Sequence, residues 1–241
     1  MPRCVLAALA LCSLVACRET VEPGLVRAPG QPAAMTTSHD IPDLGLFLGS
    51  GACTFTAANA INTAGQVVGT FREDCITNTR SHMWTDATGF VDLNLGGLTA
   101  LANGISENGV VVGQRAVPGH GQGAAFMWTA SDGLTELGFL NNGYSRALSA
   151  NSSGQITGYA SVGVGLTTEH AFLWTAATGM VDLGTMGGQR SEAFDINESG
   201  QIVGWSVPAP PALPVPTAFI WTQSTGMVAI GTLGGDISEA F

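Results

Sequence analysis

A motif written four times at nearly constant spacing constrains this chain more than any other feature of it. The motif reads HAFLWTAATGMVDLGTMGG at 170–188 and AFIWTQSTGMVAIGTLGG at 218–235, with weaker copies HMWTDATGFVDLNLGG at 82–97 and AFMWTASDGLTELGFLNNG at 125–143. Its Trp-Thr pair begins at Trp84, Trp128, Trp174 and Trp221, so the intervals are 44, 46 and 47 residues. A second motif alternates with the first: INTAGQVVG from Ile61, ISENGVVVG from Ile105, ANSSGQITG from Ala150 and INESGQIVG from Ile196. Its glycines Gly65, Gly109, Gly154 and Gly200 keep the same period. Self-similarity at this length marks a stacked array of like supersecondary units.

The third copy reads most clearly. Residues 145–151 and 155–161 flank a turn containing Gly154, which predicts a hairpin. Residues 170–175 follow as a third strand, apolar on both faces because Phe172 and Trp174 alternate with Ala171 and Leu173. Such a strand belongs between two packed layers. Thr178-Gly179 turns the chain, and 180–184 is a fourth strand ending in a glycine-rich corner. Four short antiparallel strands per unit is the pattern of a β-propeller blade, and the expected fold is an all-β, propeller-like array. A β-solenoid of stacked coils is the alternative. Asn62, Ser106, Asn151 and Asn197 recur at the hairpin turns because their side chains bond nearby backbone while the glycine supplies positive φ, so they are assigned no function. The four repeated tryptophans are expected in the packing between blades.

Residues 1–17, MPRCVLAALALCSLVAC, hold one Arg and an apolar run too short to span a bilayer, which reads as a secretory signal. The ending Leu14-Val15-Ala16-Cys17 resembles the bacterial lipobox, which implies a signal over 1–16 and acylation of Cys17. The other reading is an ordinary signal that leaves Cys17 a thiol. Arg18, not Asp, follows Cys17, so the resemblance implies the outer membrane or cell surface. Residues 17–42 hold four prolines and no apolar period, as a flexible tether does. The repeat domain occupies 43–241. It opens on a lone fourth-strand motif at Asp43 and closes on SEAF at 238–241, a copy of 191–194. Either the sequence is a piece of a longer array, in which the Asp43 strand would complete the last blade and the missing blades would follow Phe241, or the chain closes with fewer strands.

The domain keeps two cysteines, Cys53 and Cys75, on either side of the first hairpin turn. Pairing Asn62 with Gln66 makes partner numbers total 128, which sets these cysteines opposite each other and predicts a disulfide worth roughly 3 kcal/mol. Two separate buried thiols are the alternative. The eight basic residues are all Arg against eighteen carboxylates, a formal charge of −10. Nucleic acid is therefore not an expected partner.

The His-Ala-Phe at 170–172 and its surroundings resemble the HAF repeat of bacterial extracellular proteins, a likeness that covers 43–241. It implies a secreted, β-rich repeat protein and no defined chemistry. The His position holds Arg80, Ala124 and Thr217 in the other copies.

Catalytic and metal motifs are absent from the sequence. The four histidines are scattered, and a chain without Lys excludes Schiff-base and Ser-Lys mechanisms. The best catalytic candidates are Asp43, Asp92, Glu136 and Asp182, each before a Leu in the fourth strand, with Ala229 breaking the series. Lining a channel, they could bind a cation or cleave a glycoside. Function is instead expected where the repeats differ, in the connections 70–80, 114–124, 159–169 and 205–217. Arg72, Arg80, Arg115, His120, Tyr159 and Trp205 are the candidate binding residues there. The expectation is a lipid-anchored, non-enzymatic binding or scaffold module without a cofactor, for a glycan or protein ligand. A glycan-active enzyme and a purely structural envelope protein are the alternatives.

Overall fold

Alternation of apolar and small residues with turn glycines produces sixteen strands in the computed structural model, which describes residues 55–72, 79–96, 99–118, 120–141, 143–163, 168–210, 215–232, 234–235 and 237–241. Blade 1 comprises β1 (Phe55–Ile61), β2 (Val67–Arg72), β3 (Arg80–Thr85) and β4 (Gly89–Asp92). Blade 2 comprises β5 (Ala100–Ile105), β6 (Val111–Val117), β7 (His120–Thr129) and β8 (Gly133–Gly138). Blade 3 comprises β9 (Ser145–Ala150), β10 (Ile156–Ser161), β11 (Glu169–Thr175) and β12 (Gly179–Asp182). Blade 4 comprises β13 (Gly187–Ile196), β14 (Ile202–Pro208), β15 (Thr217–Thr222) and β16 (Gly226–Ala229). Each blade is its own antiparallel meander, ordered as in the chain. Among the described residues no sheet runs across a repeat boundary, as a solenoid would require, so the fold is an all-β, propeller-like array.

The first strands β1, β5, β9 and β13 adjoin one another in succession, whereas the fourth strands β4, β8, β12 and β16 adjoin one another little. The fourth strands are therefore the outer ones. Apolar faces close the spaces between blades. Val112, Ala125 and Leu137 of blade 2 meet Ala147, Ile156, Phe172 and Trp174 of blade 3 in one cluster, and the other two junctions are built alike. Trp128 and Trp221 pack against those clusters, as expected of the repeated tryptophans. A buried serine ties blades 3 and 4 each to the one before it. Ser145 Oγ accepts from Ala125 N and donates to Gly138 O, and Ser191 Oγ does the same with Ala171 N and Gly184 O. Ser238 Oγ accepts from Ala218 N in the same way.

The first hairpin turn closes as its sequence predicts, with Asn62 N donating to Gln66 O and Gly65 at φ 75°. Partner numbers in β1 and β2 total 128 only as far as Ala60↔Val68; from Ala58↔Gly69 they total 127. A β-bulge at Asn59 absorbs one residue, so the count that set Cys53 against Cys75 does not hold beyond it. Both cysteines lie outside the described residues. The bulge recurs at Asn103, Leu148 and Phe194, once per blade. Opposite it sits a glycine of the second motif, Gly69, Gly113, Gly158 or Gly204, whose Cα lies against the partner strand's backbone.

Blade 1 departs from the others at the centre of its third strand. Phe126, Phe172 and Phe219 are fully buried there, and the corresponding residue is His82, also fully buried. Its ring stacks on Phe90 with centroids 4.4 Å apart, and neither ring nitrogen finds a hydrogen-bond partner among the described residues. Burial lowers its pKa to about 4, so the folded chain holds it neutral. The unfolded chain binds that proton between pH 6.5 and 4, and stability falls as the pH falls through this window. His82→Phe, which restores the residue of the other blades, is expected to add roughly 1–2 kcal/mol at pH 7 by removing two unsatisfied nitrogens. It is also expected to flatten that acid slope. Urea unfolding at pH 7 and pH 5 checks both effects, and an unchanged slope would contradict the assignment.

Candidate functional site

The repeated carboxylates do not converge. Asp92, Glu136 and Asp182 stand on the outer strands β4, β8 and β12 of three separate sheets, and each is engaged within its own blade. Asp92 pairs with Arg80 and accepts from Asn94 N at 2.9 Å. Asp182 meets His170 Nδ1 at 2.9 Å and accepts from Gly184 N at 2.7 Å, while Glu136 takes Arg115 Nη1 at 2.6 Å. This explains the variable His position: Arg80 and His170 are the side chains facing those aspartates. Arg115 supplies the charge from β6 where Ala124 cannot, and blade 4 lacks both partners, with Thr217 and Ala229. The channel that would let these carboxylates converge is not formed by these strands, because the inner strands are the first ones. Asp43 lies outside the described residues.

Polar residues that break the repeat gather instead where blades 3 and 4 meet, at the ends of the blades that carry the variable connections. Arg190, near the start of β13, donates from Nη2 to Glu169 Oε2 and, at 3.3 Å, to Glu192 Oε1. Glu169, the first residue of β11 and buried, also accepts from the Tyr144 hydroxyl. Arg146 donates from Nη2 to Asn103 Oδ1 of blade 2 at 3.0 Å, and its Nη1 stands 3.5 Å from the Tyr159 hydroxyl. The rings of Tyr144 and Tyr159 meet edge to face at 6.4 Å. Trp205 pairs across the sheet with Glu192, and the Arg190 guanidinium lies 5.5 Å from its ring centroid. The Nε atoms of Arg146 and Arg190 are buried and without a hydrogen-bond partner among the described residues.

Burial, and next the charge of Glu169, push the Glu192 carboxyl up to about 7, against the opposing pull of Arg190 and Arg146. Glu192 therefore still holds a proton close to neutrality. What the cluster presents outward is the Arg190 side chain, 42% exposed, lying over Trp205. A charged fork over an aromatic face, beside carboxylates and tyrosine hydroxyls, can bond hydroxyls, amides or a carboxylate while covering an apolar surface.

Of the residues expected from sequence, Tyr159 and Trp205 come to this cluster. Trp205, expected as the contacting aromatic, is only 8% exposed and lies beneath Arg190. Arg72 and Arg80 belong to blade 1, where they stack over Phe55 and Phe71. Arg115 is held by Glu136 in blade 2. The connection over 114–124 is not an open loop, since β6 and β7 extend until Val117 faces His120, whose side chain is not described. Cys17 lies outside the described residues. Tyr144, Arg146, Glu169, Arg190 and Glu192 were not expected. A signal for two of them exists: one position of the first strand reads Ala57, Leu101, Arg146 and Glu192 across the blades. The position is apolar twice and charged twice.

Fold and site together define a propeller-like repeat protein whose distinctive polar surface lies at one end of blades 3 and 4. The chain matches no family model, and no curated protein matches it significantly.

Proposed function

We propose that the chain is a surface-displayed, non-catalytic binding lipoprotein built of HAF repeats, with its ligand site at the Arg190 cluster. The observation that carries the reading is local. The turn ends of the blades follow one pattern, from which blade 2 departs at Ser106 and Val110, while the opposite ends of blades 3 and 4 bring together Tyr159, Glu169, Arg190 and Glu192, which no other blade repeats. A glycan or a polar protein segment suits such a surface. In the same reading Cys17 carries lipid, 17–42 is the tether, and the module is held on the outer membrane or cell surface.

The test is a screen of glycans, peptides and calcium against protein from an oxidising host. Arg190→Ala/Tyr159→Ala is expected to weaken the leading hits at least tenfold without a large shift of the melting temperature. The triple variant Asp92→Asn, Glu136→Asn, Asp182→Asn is expected to retain them. Loss of binding in the triple variant alone would overturn the assignment, and silence throughout would favour the structural alternative. The Glu169 and Glu192 pair favours one second reading, acid and base work on a bound glycan. Release of new reducing ends from a glycan hit, abolished by Glu192→Gln, is its signature.

A further inference from the structure

The turn ends of the blades are clasped two by two. Between blades 1 and 2, Asn62 Nδ2 donates to Ser106 O at 3.1 Å, Thr63 N donates to Glu107 at 3.0 Å, and Gln66 fills the remaining space. An added methyl at Gly109 would lie 3.2 Å from Gln66 Oε1. Between blades 3 and 4 the same parts recur: Asn151 Nδ2 to Asn197 O at 3.0 Å, Ser152 N to Glu198 at 3.1 Å, and Gln155 Oε1 2.9 Å from a methyl at Gly200. Between blades 2 and 3 those parts are missing. Ser106 stands for the Asn, Val110 for the Gln and Ser152 for the Glu. A methyl added at Gly154 would meet nothing within 4 Å. One bond remains there, Asn108 Nδ2 to Ser152 O at 3.1 Å.

The space so left is a half-open groove of about 360 Å³. Val110, Met127, Ile156 and Trp174 form its walls, with the Thr175 to Ala177 turn and Ser153 at the rim. We propose that this groove is a binding site for a small uncharged aromatic molecule, opened by Val110 and Ser106 in place of the Gln and Asn that close the corresponding junctions. Its volume lies in the range of small-molecule sites. No charged side chain lines it, which disfavours a charged guest because the guest's water would not be replaced. The Trp174 ring and the Met127 thioether are the contacts an aromatic ring takes best. Ser153 and Thr175 can bond one polar substituent. The site is at the opposite end of the blades from the Arg190 cluster and does not depend on it.

The probe is 4-fluorophenol, titrated against the full chain and followed by the width of its fluorine resonance. Val110→Gln is expected to weaken binding at least tenfold, because it installs the residue that fills the corresponding space at the other two junctions. The reverse change, Asn151→Ser/Gln155→Val, is expected to open a second site at the junction of blades 3 and 4 and to double the bound probe at saturation. Both variants carry residues native to other blades, and the second decides the matter if the first fails to fold. No broadening with the parent chain, or equal binding by parent and Val110→Gln, would overturn the proposal.

Discussion

Gly158→Ala is expected to destabilise the chain by roughly 3 kcal/mol or more, a large effect for the addition of one methyl group. The added Cβ would sit 2.0 Å from Arg146 O and 3.0 Å from the Ala147 Cα. Those are backbone atoms of the adjacent strand, so no side chain can swing away, and β9 would have to leave β10 at the bulge. The same clash awaits Gly69, Gly113 and Gly204, at 1.8 to 2.0 Å from a carbonyl oxygen. Gly154→Ala provides the contrast. That glycine has φ 75° and open space around it, and its replacement is expected to cost only about 1 kcal/mol through backbone strain. Urea unfolding of the two variants measures the difference. Equal losses would mean that β9 and β10 do not approach as described.

The second large effect is a dependence on pH set by Glu192. Its carboxyl titrates near 7 in the folded chain and near 4.5 unfolded, so between these values the folded state holds the extra proton. Stability therefore falls as the pH rises from 4.5 to 7. Glu192→Gln removes this loss and is expected to gain about 2 kcal/mol relative to the parent at pH 8, with no gain at pH 4. His82 acts in the opposite direction between pH 4 and 6.5, so the two slopes offset each other in the parent. The Glu192 slope is clearest in the His82→Phe background. Unfolding free energies at pH 4, 6 and 8 for the single and double variants test the pairing. A gain from Glu192→Gln that does not grow with pH would show Glu192 ionised like an exposed carboxylate.

The interval between Trp-Thr pairs and the turn glycines was enough to read the blades, because each hairpin must supply the same positive-φ residue and each third strand the same buried side chains. The third copy was legible almost to the residue: 145–151, 155–161 and 170–175 became Ser145–Ala150, Ile156–Ser161 and Glu169–Thr175. The bulge was not legible, since Asn59 and Asn103 stand at it in two blades but Leu148 and Phe194 in the other two, and its one-residue shift removed the basis for setting Cys53 against Cys75. Which strand lies inside was not legible either. Hairpin order is the same read from the axis outward or inward, and the idea of converging carboxylates depended on the wrong sense. The Arg190 cluster assembles from positions far apart in sequence, Tyr144, Glu169 and Glu192, so only the packing of blade 4 on blade 3 brings them together.

Hydrogen exchange of the full chain, with and without its best ligand from the screen, tests the central claim most directly. The account predicts protection in peptides covering 144–147, 168–172, 189–193 and 204–207. Protection confined to the outer strands 89–92, 133–138 and 179–182 would contradict it.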